Sequence, residues 1–577
     1  MNTGKLLLFT VILSSIISAG CSPQTDRDKW QNALLPDCSP PAQTVNLVDI
    51  KSQEPDIKLA MITMQGHANS GSKSRLCFEV WTKASGNTPQ RFWLDYFKKK
   101  GRITEINQMS IDDCIDKYQS CYDKVIIYDP DLPVTINIAT MIGSVEKGIV
   151  AAAAQAERFA GRYGKEIIDL RGRWKSNIEA QEWALDTLWP KMNHSVLACQ
   201  HPTFAEHHLR DYLIRHKVFQ FWVTGKNAED NEKSDYEIEK CFAERLFAMT
   251  EPNIPLIGWI DGGADDHGLS EYYGVGLAGR YGKVMLGSNW GINLSFHGGI
   301  NVDFEAMTAD YRSRKPSKTV ELEDDKVYVA LAVQESGDAP IYWECVQKKA
   351  WDDPGRGRIP FGWSIAPGVF EMCPGIIEWF YENATENDHF YFCLSGLAYC
   401  HPYRNFLDRT PEPQAAFEQQ LDIVNRYARM AGIRQMGLYT DAWLDFDREK
   451  NDPITLNFAQ GLEGINTLIM GMGRDENALE IGPNYFIGDN KTLVSHVVNR
   501  WDAAKVQDRD EANRRFLADD IRRHTPKERP AFIYVHPLSW SYFPSDMIKV
   551  MEMLPDEYVV VSQDEYYRLY SEHTGKN

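Results

Sequence analysis

The second half of the chain carries a regular beat of short apolar runs. "VYVALAV" (327–333), "PFGWSIA" (360–366), "HFYFCL" (389–394) and "QMGLYT" (435–440) each have the length of a strand. So do "NTLIMG" (466–471), "NYFIG" (484–488), "AFIYVH" (531–536) and "YVVVS" (558–562). Between most of them lie helix-length segments, among them "GVFEMCPGIIEWFYENA", "QAAFEQQLDIVNRYARMAG" and "DEANRRFLADDIRRH". Apolar strands alternating with helices predict parallel pairing through crossover helices. Seven or eight such units in about 250 residues predict an α/β fold with a TIM-like or deacetylase-like (β/α) barrel over 326–577. A doubly wound open sheet is the alternative.

Residues 46–320 alternate in the same way, as in "LAMITMQG", "KVIIYDPDLP", "EAQEWALDTLWPKM", "LRDYLIRHKVFQFWV" and "KVMLGSNWGINLSFHGG". Two or three smaller α/β domains are therefore expected before the barrel, closed by a charged linker, "YRSRKPSKTVELEDDK". Residues 22–45 are polar and Pro-rich and read as a tether. Residues 1–21 read differently. Lys5, the apolar run "LLLFTVILSSII" and the ending "SAGC" have the layout of a secretory signal. "SAGC" resembles a bacterial lipobox with Cys21 as the lipidated residue, although Ser18 stands where that pattern has Leu. The expectation is an exported lipoprotein of the outer membrane or cell surface, held to the membrane by its N-terminal lipid. Plain cleavage to a soluble product is the alternative. No later run reaches the 18 or so apolar residues of a spanning helix.

Composition narrows the partners. The net charge is −19 and no basic stripe is present, which argues against nucleic acid. Aromatic residues make up 12%, with 16 Trp and 26 Tyr, enough to line a surface that stacks on sugar-like ligands. Besides Cys21 there are ten cysteines, an even number for a compartment where disulfides form. Cys114 with Cys121, and Cys393 with Cys400, are close enough in sequence to pair, but no connectivity follows. No pair has zinc-site spacing, and no cofactor is expected.

In either architecture the site lies at the C-terminal ends of the strands. Following the strand ends gives Glu335 and Asp338, then Tyr399 and His401, then Asp441 and Trp443, then His536 and Trp540, with Trp363 inside its strand. Taken singly, Asp338 reads as a turn residue, His536 as a satisfied rim histidine and the tryptophans as core. Taken together, acids and aromatics around one mouth suit carbohydrate. Glycoside cleavage needs two carboxyl groups, so Asp338 and Asp441 form the first candidate pair, with Glu335 as a substitute. Tyr399, Trp443 and Trp540 are candidate platforms, and His401, His536 and Trp363 further binding residues. The stretch "WIDGGADDHGLSEYYG" (259–274) concentrates acid in a Gly-rich segment. It reads either as a solvated loop or as a cover over the barrel mouth, with Asp261 or Glu271 reaching ligand hydroxyls.

The loop "CLSGLAYCHP" (393–402) resembles the signature of the GxGYxYP putative glycoside hydrolase family. Gly396, Tyr399 and Pro402 match, while Ala398 and His401 stand where the name has Gly and Tyr. The likeness continues through "RGRIPFGWSIAPGVFEMCPGIIEWFYENATENDHF" and through "VIIYDPDLPVTINIAT" and "GLAGRYGKVMLGSNWGINLSF", covering most of residues 55–570. It implies small N-terminal domains before a barrel-like C-terminal domain, in exported proteins of glycan processing. Where the family tends to read Asp-Gly-Asp-Asn, this chain has Ser336, Gly337, Asp338 and Ala339, one carboxylate and one amide fewer. His401 in place of Tyr introduces a group expected to titrate near neutral pH. Three functions follow: a glycoside hydrolase, a glycan-binding lipoprotein without catalysis, or a metal-dependent deacetylase-like hydrolase using Asp338, His401 and His536 as ligands.

Overall fold

Three small parallel sheets precede one large one. The computed structural model describes residues 33–575 apart from 83–85, 226–232, 262–267, 316–318, 334–335, 440–447, 473–482, 490–491, 500–509 and 540–541. In the first sheet β1 (Pro41–Asp49) lies between β2 (Ser74–Glu79) and β3 (Glu105–Met109). In the second, β4 (Lys124–Ile127) lies between β5 (Gly148–Ala151) and β6 (Glu166–Asp169). The third contains β7 (Asn193–Cys199), β8 (Val218–Phe221), β9 (Pro255–Gly258) and β10 (Val284–Gly287) in the order β8-β7-β9-β10. Every ladder in these sheets is parallel. Parallel strands require helical crossovers that cover both faces, which is why β5, β8, β9 and β10 are buried along their whole length. The apolar run "LAMITMQG" belongs to one such cover, helix Pro55–Ala68, and is buried throughout.

The C-terminal sheet has nine strands: β11 (Val327–Leu331), β12 (Phe361–Ile365), β13 (Asp388–Phe392), β14 (Gln435–Tyr439), β15 (Thr467–Met472), β16 (Tyr485–Ile487), β17 (Thr492–Asn499), β18 (Ala531–His536) and β19 (Tyr558–Val561). Their order is β12-β13-β14-β15-β17-β18-β11-β19, with β16 beside β17. All pairings are parallel except β16 with β17, which is antiparallel. Just past β11, Ala332 bridges Gly362 of β12, and the Val333 N–H donates to the Gly362 carbonyl at 2.8 Å. The path of strands thus returns to its own start through one short contact. The segments that follow β11 and β13 are hydrogen-bonded to the end of β10.

The expected tether is partly built into the fold. Leu34 and Leu35 are buried, and their N–H groups donate to the two carboxylate oxygens of Glu371 at 2.9 and 2.7 Å. An apolar Leu-Leu pair docks here because a distant carboxylate satisfies its backbone, and β1 follows from Pro41. The expected linker is docked too: Arg314 donates to the Tyr381 carbonyl at 2.6 Å, and Lys315 to the Asp388 carbonyl. The ten described cysteines, Cys114, Cys121, Cys393 and Cys400 included, form no disulfide with one another, and most of them are buried. Among the described residues no helix is long and apolar enough to cross a membrane. Leu34–Asn577 is one compact unit.

Candidate active site

The turn after β11 delivers Asp338. Ser336 takes a left-handed φ of 61°. Gly337 then passes so close to β12 that a Cβ there would lie 2.2 Å from the Ser364 carbonyl oxygen. The indole N–H of buried Trp343 donates to the Gly337 carbonyl at 3.0 Å, and the Ala366 N–H donates to the same oxygen at 3.1 Å. A π-helical turn, Tyr342–Val346, follows, a feature that recurs beside functional sites. Asp338 ends only 4% exposed, its Oδ2 accepting the Gly287 N–H at the end of β10 at 3.2 Å. Burial pushes its carboxyl up to about 6, against which the Gly287 hydrogen bond works in the opposite sense.

The loop after β13 delivers Tyr399. Leu394, Ser395 and Gly396 are left-handed in succession, with φ of 55°, 75° and 90°. The Ser395 hydroxyl donates to the Cys400 carbonyl at 3.1 Å and accepts the Tyr439 N–H at 3.0 Å, locking the turn. Tyr399 then exchanges both backbone hydrogen bonds with Met285 of β10, each 3.0 Å. β10 therefore holds the loop at Met285 and Asp338 at Gly287, two residues apart on one strand.

From the same third sheet comes Glu271. Ser270 is left-handed, φ 57°, at the entry of helix Glu271–Arg280. Asp261 Oδ2 accepts the Glu271 N–H at 3.0 Å, so this carboxylate serves the helix start. The Tyr399 hydroxyl donates to Glu271 Oε1 at 3.0 Å. Burial raises the Glu271 carboxyl, the Tyr399 hydrogen bond lowers it, and the charges of Asp261 and Asp338 raise it. Glu271 thus feels the charge of Asp338, a carboxyl group delivered from a different sheet. Left-handed non-glycine residues cost about 1–3 kcal/mol each and cluster at functional sites; here one or more precedes each of Asp338, Glu271 and Tyr399.

Aromatic rings surround the pair. Trp259 lies nearly parallel to Tyr399, with centroids 6.4 Å apart at 24°, and Tyr439 packs on Tyr399 at 5.3 Å. Tyr272 meets His401 edge-on at 4.8 Å, under the Arg404 guanidinium at 4.4 Å. Trp259, Tyr272 and Tyr439 are half-buried. The sequence reading passed over all three. Trp259 directly follows β9 and Tyr439 ends β14, so the strand-end criterion, applied to the N-terminal half and to the last residue of each strand, finds both.

Other expected residues behave differently. His401 is 3% exposed, and burial pulls its imidazole down to about 3, so it stays neutral where titration near pH 7 was expected. His536 is fully buried between Tyr391 and Tyr534 and is likewise lowered to about 3. Trp363 is a core residue: its indole donates to Asp388 Oδ1 at 2.9 Å and packs on Trp351 and Phe361. Its odd-numbered face of β12 turns toward these helix-side rings, so it does not join Tyr399. Glu335, Asp441, Trp443, Trp540 and Cys21 lie outside the described residues. Among the described residues no group of three or more His, Cys, Asp or Glu side chains could hold a metal, and Asp338, His401 and His536 form no such group.

The close approach at Gly337 carries its own expectation. Gly337→Ala forces a methyl into the β12 backbone and should cost about 3 kcal/mol, lowering the melting temperature by several degrees. A variant melting as wild type would show that the turn is not fixed by this contact.

The motif loop and the sheets can be set beside known proteins. Residues 325–571 match the description "GxGYxYP putative glycoside hydrolase C-terminal domain", residues 194–299 "GxGYxYP third domain" and residues 122–192 "GxGYxYP_N second domain". No curated protein matches the chain. A crystal structure of "a putative hydrolase" from Bacteroides thetaiotaomicron VPI-5482 has a TM-score of 0.75 at 18% identity, covering 94% of this chain and 97% of its own. At that identity the likeness concerns the fold. With three matched domains around the loop that seats Tyr399 on β10, the chain belongs to the GxGYxYP putative glycoside hydrolase family.

Proposed function

We propose that the protein is a glycoside hydrolase whose two working carboxyl groups come from different domains, Asp338 after β11 and Glu271 after β9. The observation that carries this reading is the meeting of Glu271, Tyr399 and Asp338 along β10. Asp338, raised to about 6, holds a proton up to about that pH and gives it to the leaving glycosidic oxygen. Glu271, steadied as the carboxylate by the Tyr399 hydroxyl, acts as nucleophile or as base toward water, the place the sequence reading gave to Asp441. Half-buried Trp259, Tyr272 and Tyr439 offer faces on which pyranose rings stack. In the same reading the C-terminal sheet is a (β/α) barrel whose seam is the Ala332–Gly362 bridge, and Cys21 carries a lipid that holds the enzyme at the cell envelope.

A second reading, glycan binding without turnover, draws on Ser336 and Ala339, which leave Asp338 as the one acid among residues 336–339. A panel of poly- and oligosaccharides separates the two. Release of reducing ends by wild type and not by Asp338→Asn is the expected result. Binding of a glycan with no reducing ends released by wild type would favour the second reading.

A further inference from the structure

The opposite end of the C-terminal sheet carries a concave site. At the N-terminal ends of β13 and β14 lies a cavity of about 420 Å³, within the range of small-molecule sites. Arg312, Lys315 and Arg434 line it, with Asp564 as the one lining carboxylate. This concentration of cations is unusual in a chain with a net charge of −19. The nearby Asp388 carboxylate is occupied elsewhere, by Arg356 at 2.6 Å and Trp363 at 2.9 Å. Asp564 accepts from Gln435 at 2.8 Å and reaches Arg434 only at 4.0 Å. The Arg312 side chain has no hydrogen bond or ion pair to a described residue. Lys315 bonds to backbone carbonyls alone, those of Asp388, Thr385 and Glu386. His389, 9% exposed, also lines the cavity with no hydrogen-bond partner among the described residues.

An imidazole without a hydrogen-bond partner and cations lacking a full set of acids leave charge and donors facing a hollow that is open to solvent, with Arg312, Arg434 and Asp564 exposed at its rim. We propose that this cavity binds a small anion, a carboxylate or phosphate group on a molecule of about monosaccharide size, with Arg312 and Arg434 clasping the anion and His389 donating to it. The proposal stands on residues remote from Asp338 and Glu271 along the strands, and so does not depend on the catalytic reading.

Calorimetric titration of the protein with glucuronate, inorganic phosphate and glucose tests it. At least one of the two anions should bind and glucose should not; glucuronate alone would point to a sugar acid, and phosphate alone to a phosphate group. Arg312→Gln and Arg434→Gln should each weaken the binding about fivefold or more, whereas Asp564→Asn should strengthen it about threefold. The last variant gains affinity, so a loss caused by misfolding cannot imitate it. Absence of binding by both anions at about 10 mM, a range where even millimolar affinity is detected, would overturn the proposal. So would Arg312→Gln and Asp564→Asn titrating as wild type does.

Discussion

Asp338→Asn should abolish hydrolysis and at the same time stabilise the protein. A general acid contributes about 10²–10⁴-fold, and asparagine has no proton to give, so kcat should fall by about a hundredfold to ten-thousandfold. The stability gain comes from the same burial that makes Asp338 an acid. Its carboxyl titrates at about 6 when folded, against about 3.9 in an unfolded chain. Between those values the folded state holds a proton that the unfolded state has lost, so stability falls as pH rises from about 4 to about 6 and stays reduced above. At pH 7 the ionised, buried carboxylate costs roughly 1–3 kcal/mol. Asparagine can keep the Gly287 hydrogen bond without carrying charge. The variant should therefore melt roughly 2 °C higher than wild type at pH 7 and match it more closely at pH 4. Equal melting at both pH values, or an active variant, would remove Asp338 from this role.

Glu271→Gln is the second large effect, about a thousandfold in kcat, since amides are poor nucleophiles and bases. Its milder companion, Tyr399→Phe, is more diagnostic. The Tyr399 hydroxyl favours the ionised form of Glu271, so removing it raises the carboxyl further. If Glu271 works as the anion, the acid limb of kcat/KM against pH moves upward and the variant loses more activity at pH 5 than at pH 7. An unchanged limb would leave Tyr399 a purely structural contact.

The periodic pattern made most of the C-terminal sheet legible. Each of the eight apolar runs overlaps a strand, with "AFIYVH" matching β18 residue for residue. β17 was missed, because "TLVSHVVN" mixes polar residues into an apolar run between two stretches without clear period. The antiparallel turn of β16 was equally hidden, since direction leaves no trace in a three-residue strand. Strand ends also pointed to Asp338 and Tyr399, and the acidic stretch to Glu271. What spacing could not supply was their meeting: Tyr399 and Glu271 are 128 positions apart and join only because the loop adds a backbone bridge to Met285. The same limit explains His401. An exposed imidazole titrates near neutrality, and the Tyr272, Tyr399 and Tyr439 rings that exclude water from this one come from three separate segments.

The most direct test of the paired carboxyl groups is the turnover of Asp338→Asn, Glu271→Gln and the double variant on one substrate that wild type cleaves. Groups that act in the same chemical event are strongly non-additive, so the double variant should be no slower than the slower single variant by more than about threefold. Losses that multiply would contradict the account, since two independent contributions would then lie where one shared step is claimed.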